Sequence, residues 1–326
     1  MIILLGGEGS GKTTLADKLA SVGYAKYHFT KDSQYKDYLE PLSKLDFMHA
    51  VMDRFIYCEY PYHICMNRPF KYSLKEFHNV ILLSLAYNPL IILMTHIPKA
   101  EEYATDQYLP YNKLQQCIQL YKIFLKGNNI PFVEIDYELN VPDIDWIIKE
   151  ERKLCSEIDW WIPMWKLGYG MVGSHHPKVV LVAERLGNYN VNEIPFQEGP
   201  TAYMLSDVLD MSSTPLGSIA ITNLIKAKRG SVRAVNDSDL KFLELELIHL
   251  KPERVICMGS VAKGAIVVTQ KLGIETRQIV HLGHLNYQGV HDLAPYARQW
   301  KNAFEGNVTL QITPKGVNVN IKDKIL

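Results

Sequence analysis

The stretch Met1-Ile2-Ile3-Leu4-Leu5-Gly6-Gly7-Glu8-Gly9-Ser10-Gly11-Lys12-Thr13-Thr14 decides how this chain is read. The apolar run Ile2 to Leu5 predicts a buried strand. It stops at a glycine-rich turn with the spacing G-x-x-x-x-G-K-T, and Thr14-Leu15-Ala16-Asp17-Lys18-Leu19-Ala20 continues with helical character. Strand, glycine loop and helix in that order let backbone N–H groups close around phosphate oxygens, with the positive end of the helix dipole facing the same anion. Gly6, Gly7, Gly9 and Gly11 shape the loop. Lys12 is placed to reach β- and γ-phosphates, Thr13 to hold Mg²⁺, and Thr14 completes the phosphate-binding set. The loop therefore predicts a nucleoside triphosphate, with ATP and Mg²⁺ as cofactors. It does not say what receives the phosphate, and it accounts for only half of the chain.

Bulk properties set the frame. At 326 residues the chain is more readily two domains than one. Its composition, 47% hydrophobic and 21% charged, is that of an ordinary globular protein. A formal net charge of zero offers no global basic field for nucleic acid, although a local basic groove is compatible with it. The five cysteines are scattered without C-x-x-C spacing, which argues against a zinc site or a disulfide framework and for a reducing, cytoplasmic setting. The first apolar run is too short for a signal peptide. Leu82 to Met94 is interrupted by Asn88 and Pro89 and is too short to span a bilayer, so no membrane partner is expected.

Along the first half, helix-like and strand-like segments alternate. Strands are expected over Met48–Arg54, Pro89–Thr95 and Pro131–Asp136, and helices over Leu74–Tyr87, Tyr111–Lys126 and Trp146–Ile158. Such alternation implies a parallel sheet with helices on both faces. The aromatic stretch Trp160-Trp161-Ile162-Pro163-Met164-Trp165 marks a seam, read as packing between domains or as a ligand platform. The second half is again α/β, with strands at Pro177–Glu184, Ile219–Asn223, Arg254–Gly259 and Arg277–Leu282. Its helices are expected at Asp237–Leu250, Ser260–Leu272 and Asp292–Phe304, and the tail at 308–321 reads as a hairpin. The expected fold is two three-layer α/β/α domains, 1–155 and 177–326, joined by a linker at 156–176.

In the first half Asp53-Arg54-Phe55 follows a strand, at the sheet edge where open α/β sheets bind ligands. A carboxylate there can orient a hydroxyl or a metal-bound water, and an arginine can grip a phosphate with two parallel bonds. The phosphate loop together with Asp53-Arg54-Phe55 resembles the thymidylate kinase family, especially its bacteriophage-encoded branch, over roughly residues 1–140. Glu59-Tyr60-Pro61-Tyr62, the segment at Asn88–Thr95 and a lid-like Asp106-Gln107-Tyr108-Leu109-Pro110-Tyr111 extend the likeness. The resemblance implies that Arg54 contacts the acceptor phosphate, that Asp53 helps to position acceptor or Mg²⁺, and that Glu59 lies on the substrate side. The chain departs from the family in lacking arginine in the phosphate loop and from Lys99 to Gln107; Lys99 or Arg68 is the candidate replacement.

In the second half, four pieces recur in a telling order. They are Val180-Leu181-Val182-Ala183-Glu184-Arg185-Leu186-Gly187, Pro195-Phe196-Gln197-Glu198-Gly199, Ile221-Thr222-Asn223-Leu224-Ile225-Lys226, and His281-Leu282-Gly283-His284. With Pro252–Gly259 between the last two, this resembles the uracil-DNA glycosylase superfamily. The resemblance implies that Phe196 stacks on a base, Asn223 reads its edge, Glu184 orients water, and His284 or His281 bonds the base carbonyl. Departures are Ala183 where the first motif begins with glycine, the absent proline there, and a histidine loop without H-P-S.

The leading expectation is an ATP- and Mg²⁺-dependent deoxynucleoside monophosphate kinase fused to a pyrimidine-base-binding or glycosylase-like domain. Two alternatives stay open. One is a kinase acting on 5-hydroxymethyluracil in DNA, with a basic surface drawn from Lys226, Lys228, Arg229, Arg233, Lys263, Lys271 and Arg277. The other is a kinase whose second domain only binds nucleic acid or assembles a homodimer. The resemblance implies a phage-like source and hence the cytoplasm of an infected host cell.

Overall fold

The computed structural model describes residues 1–43, 49–103, 107–138, 143–157, 171–184, 200–225, 234–259, 262–279, 292–306, 311–313 and 316–318. The chain divides into two compact units, Met1–Asp159 and Trp160–Leu326. The first unit is built on β1 (Ile2–Gly6), β2 (Ala25–His28), β3 (Ala50–Asp53), β4 (Leu90–Met94) and β5 (Val133–Ile135), paired in the order β2-β3-β1-β4-β5. Every pairing is parallel. A wholly parallel sheet needs cover on both faces. Among the described residues six α-helices flank the strands in sequence: α1 (Lys12–Ser21), α2 (Tyr35–Ser43), α3 (Glu59–Cys65), α4 (Leu74–Leu85), α5 (Leu114–Gly127) and α6 (Ile144–Ser156).

Ile2, Leu4, Val51, Leu90, Ile92 and Met94 pack with Leu15 and Leu19 of α1 and Ile147 of α6. The alternate residues Ile3, Leu5, Met52, Ile91 and Leu93 are equally buried. That two-residue period is what a strand buried on both sides requires. Each such side chain contributes roughly 1.5–3 kcal/mol on burial. An aromatic cluster of Tyr57, Tyr60, Phe77 and Phe124 ties α3, α4 and α5 together. A capping box between Ser73 and Glu76 fixes the start of α4.

His78 on α4 is buried, and burial lowers its imidazole pKa to about 4. In the unfolded chain a histidine titrates near 6.5. Between these values the unfolded state takes up a proton that the folded state refuses. The folded state therefore loses stability as pH falls from about 6.5 toward 4, by roughly 3 kcal/mol in all. Urea unfolding across that window should show the loss, and His78→Leu should flatten it relative to wild type. An identical slope in the variant would contradict this assignment.

The second unit carries β6 (Val172–Gly173), β7 (Val179–Ala183), β8 (Ile219–Asn223), β9 (Arg254–Met258) and β10 (Glu275–Ile279), in the order β10-β9-β7-β8-β6. All pairings are parallel except that of β6, which runs antiparallel to β8. Its helices are α7 (Pro200–Met211), α8 (Asp237–Leu250), α9 (Ala262–Leu272) and α10 (Ala294–Glu305). Helix α8 packs on α9, and α7 on α10. Both units are thus α/β, as the alternation in sequence implies.

Some boundaries differ from the expected ones for identifiable reasons. Strand β10 starts at Glu275 because Glu275 sits opposite Arg254 and accepts its Nε–H at 2.6 Å, a cross-strand charge pair that an apolar-run reading does not detect. Asp292 lies outside α10 and instead accepts the Ala294 N–H at 3.0 Å. Strand β6 falls within the stretch read as a linker and joins the second sheet. The tail forms a short antiparallel pair, β11 (Gln311–Thr313) with β12 (Gly316–Asn318). The aromatic stretch from Trp160 to Trp165 lies outside the described residues. Among the described residues no helix is long and apolar enough to cross a membrane.

Candidate functional site

The loop leaves β1 at Gly6, whose φ is +139° and where a Cβ would collide with the Met94 carbonyl oxygen. At Gly11, with φ +87°, a Cβ would press on the Tyr137 ring. Gly11 is the N-cap of α1, and no side chain caps that helix. Its first-turn N–H groups are therefore available to an anion. Lys12 is buried within the loop. Its Nζ donates to Gly6 O at 3.0 Å, to Gly7 O, and to Ser10 Oγ at 3.2 Å. Burial, and then the neighbouring Arg54 charge, lower its pKa to about 8. The ammonium donors are shared among loop acceptors that phosphate oxygens would replace. Thr13 and Thr14 are exposed on the first turn of α1.

Asp53 ends β3 fully buried. Its Oδ2 accepts from Thr13 Oγ1 at 3.0 Å and lies 2.8 Å from His28 Nδ1. Its Oδ1 has no hydrogen-bond partner among the described residues. A buried carboxylate oxygen without a partner, beside a loop hydroxyl, fits a hard cation. Among the described residues no group of three or more His, Cys, Asp or Glu side chains forms a protein-only metal cage. Mg²⁺ in phosphoryl-transfer sites does not need one, since it takes one or two side chains plus phosphate and water. Thr13 with Asp53 matches that donor set.

Arg54 has φ +60°, a left-handed conformation that costs a non-glycine residue of order 1 kcal/mol and clusters at functional sites. Its N–H donates to Leu4 O at 3.3 Å, and its Nη1 lies 3.4 Å from Glu8 Oε1. Glu8 is buried and also accepts from Leu109 N–H at 2.8 Å and Tyr103 O–H at 3.3 Å. It thus connects the phosphate loop, Arg54 and the segment around Leu109.

Beside this constellation opens a cavity of about 480 Å³, whose lining includes Glu8, Arg54, Phe29, Tyr62 and Tyr108. Glu59 and Arg68, both read as substrate-side residues, stand in its wall paired to each other. Arg68 Nη1 and Nη2 each donate to Glu59 at 2.7 Å, and Glu59 also accepts the Lys71 N–H at 2.6 Å. Phe29 and Tyr38 stack at 4.6 Å beneath them. Sequence reasoning did not find His28, Phe29, Tyr62 or Tyr108 as site residues. His28 ends, and Phe29 follows, a half-exposed strand, β2, that offers no apolar run. The only available signal for Tyr62 and Tyr108 was their place in two aromatic stretches.

In the second unit Glu184 follows the last residue of β7 and Asn223 ends β8, both at the carboxyl edge of the sheet. Ala183 is in register with Asn223, and Ile225 N–H donates to Glu184 O at 2.8 Å. Asn223 is buried and Glu184 half-buried. Phe196, His281 and His284 lie outside the described residues, as do Lys226, Lys228, Arg229 and Arg233 and the Lys263 side chain. Lys271 pairs with Glu244 at 2.6 Å, and Arg277 pairs with Glu275.

No family model and no curated protein matches the chain. Among solved structures, the YorR protein of Bacillus subtilis, in complex with phosphorylated GDP, is similar over 49% of this chain and 96% of its own, at 18% identity and a TM-score of 0.36. A likeness of that size carries no argument about function.

Proposed function

We propose that the first unit, over residues 1–155, transfers the γ-phosphoryl group of ATP to a deoxynucleoside monophosphate. The observation that carries this reading is Asp53. It is a buried carboxylate at the sheet edge that binds the phosphate-loop threonine through one oxygen and leaves the other without a partner. Catalysis of this reaction is positioning plus charge stabilisation. The loop N–H groups and Lys12 hold the donor phosphates. Thr13 and Asp53 would hold Mg²⁺, which when bound would neutralise charge on the transferring group. Arg54, turned by its left-handed backbone toward the loop, holds the acceptor phosphate in line. The cavity lies within the range that takes a small-molecule substrate. Glu59 and Arg68 serve the acceptor by building its wall.

We further propose that residues 177–326, after a linker at 156–176, bind or process a pyrimidine base. Glu184 and Asn223 at the same sheet edge support this, an acid able to orient water and an amide able to read a base edge.

Radiolabelled ATP offered to a panel of deoxynucleoside monophosphates, nucleosides and DNA containing 5-hydroxymethyluracil tests the first reading. Label transfer to one monophosphate supports it. Transfer only to the modified DNA moves the acceptor onto DNA, and no transfer to any acceptor refutes the kinase. Free base released from a uracil-containing oligonucleotide would mark the second unit as a hydrolase. A salt-dependent DNA shift without base release would mark it as a binding module.

A further inference from the structure

Two tyrosines of the cavity, Tyr62 on α3 and Tyr108, have nearly parallel rings. Their planes lie within 6° of each other with ring centroids 6.3 Å apart. Faces in contact stack at about 3.5 Å. At the observed separation, rings in face contact would be slid roughly 5 Å past each other and share little area, and rings aligned face to face would leave a gap. Two faces that hold a third planar ring between them lie about 7 Å apart, and the centroids of these two rings are already 6.3 Å apart.

A second observation points to a ligand at the same place. The Tyr62 hydroxyl is buried and has no hydrogen-bond partner among the described residues, and neither has Arg54 Nε. Both residues line the cavity. Buried polar atoms are nearly always bonded, so two unbonded ones on residues of one cavity wall point to an occupant with polar atoms. The opposite wall is braced for such an occupant. The Leu109 N–H is fixed on Glu8 at 2.8 Å, and the Tyr108 hydroxyl neighbours the Arg68 guanidinium that Glu59 holds. Lys31 Nζ stands 5.6 Å from the centre of the Tyr108 ring. A wall ordered in advance loses little freedom on binding.

We propose that Tyr62 and Tyr108 form a two-sided slot for the nucleobase of the acceptor, with the Tyr62 hydroxyl and Arg54 serving the sugar-phosphate of the same molecule. This rests on reading the cavity as the acceptor site. Because every base has a flat face, the slot recognises a heteroaromatic ring as a class, and its walls matter only to ligands that carry one.

Calorimetric titration of the full chain with dTMP and the other three deoxynucleoside monophosphates, beside base-free 2-deoxyribose 5-phosphate, tests the slot. Tyr108→Ala should weaken the monophosphates about tenfold or more and leave 2-deoxyribose 5-phosphate unchanged. Tyr108→Phe, which keeps the ring, should bind them within about threefold of wild type. Tyr62→Phe should weaken the monophosphates and 2-deoxyribose 5-phosphate alike. The proposal is overturned by equal loss of both ligand types in Tyr108→Ala, by unchanged monophosphate affinity there, or by wild type binding no monophosphate. Phosphoryl transfer, scored separately, keeps the two readings apart. Tyr108-dependent binding without transfer removes the kinase and leaves the slot; transfer with an affinity indifferent to Tyr108 does the reverse.

Discussion

Asp53→Asn is expected to slow phosphoryl transfer by about a thousandfold or more while leaving the fold intact. The two effects separate because the side chain has two jobs. Asparagine has nearly the same shape, and its one carbonyl oxygen can still accept from Thr13 Oγ1, 3.0 Å from the present Oδ2, and from His28. What it cannot supply is the negative charge at the unpartnered Oδ1. A metal ion at a transferring phosphoryl group is worth several kcal/mol of charge stabilisation, and 1.4 kcal/mol is a factor of ten in rate. A buried carboxylate with one free oxygen is also costly to fold around, so the neutral amide should melt at or slightly above the wild-type temperature. Initial rates over a Mg²⁺ titration, with a thermal melt of the same preparation, check both halves. A variant that keeps a tenth of the wild-type rate would take Asp53 out of the chemistry.

The site was legible in sequence to the extent that it is local. The phosphate loop lies in consecutive residues, and its neighbours Asp53 and Arg54 follow a strand whose apolar run is visible. The rest of the cavity is assembled from Phe29, Tyr62, Lys71 and Tyr108, which no short window holds together. Strand β2 has exposed and half-buried residues, so His28 gave no warning that it would meet Asp53. Helix α3 opens on Glu59-Tyr60-Pro61, where a proline is tolerated because first-turn N–H groups need no helical partner. Arg68 was the instructive case. An arginine near a phosphate site is easily read as a phosphate ligand, yet its two donors close on Glu59 twelve residues before Lys71, whose N–H shares the same carboxylate. Side-chain pairing of that kind depends on a loop conformation that charge spacing does not reveal. In the second unit, parallel pairing of β7 with β8 is what brings Glu184 and Asn223 to the same edge of the sheet.

Lys12→Met should move activity and stability in opposite directions. Activity is expected to fall by at least about a thousandfold, because the ammonium is the loop's one side-chain charge for the donor phosphates. Stability should rise. The ammonium is almost wholly buried, and burial lowers its pKa from the usual lysine value to about 8. A base whose folded pKa lies below its unfolded one destabilises the fold wherever it is charged. Stability should therefore climb as pH rises from about 8 to 10.5, by roughly 3 kcal/mol if nothing else titrates. Methionine of similar length removes that penalty at neutral pH but takes the Nζ donor from the Gly6 carbonyl, worth about 1 kcal/mol, while the Gly7 carbonyl keeps the Ser10 hydroxyl at 2.7 Å. The net gain at pH 7 is then on the order of 2 kcal/mol, and the advantage of the variant should fall as pH rises above 8 and pass to the wild type as pH approaches 10.5. Urea unfolding at several pH values measures it. If the variant instead loses stability along with activity, Lys12 is a strut of the loop, and its presence there would need no phosphate to explain it. If the fold gains while transfer fails, the chain keeps a destabilising charge in its phosphate loop, which selection for a phosphate ligand accounts for and packing does not.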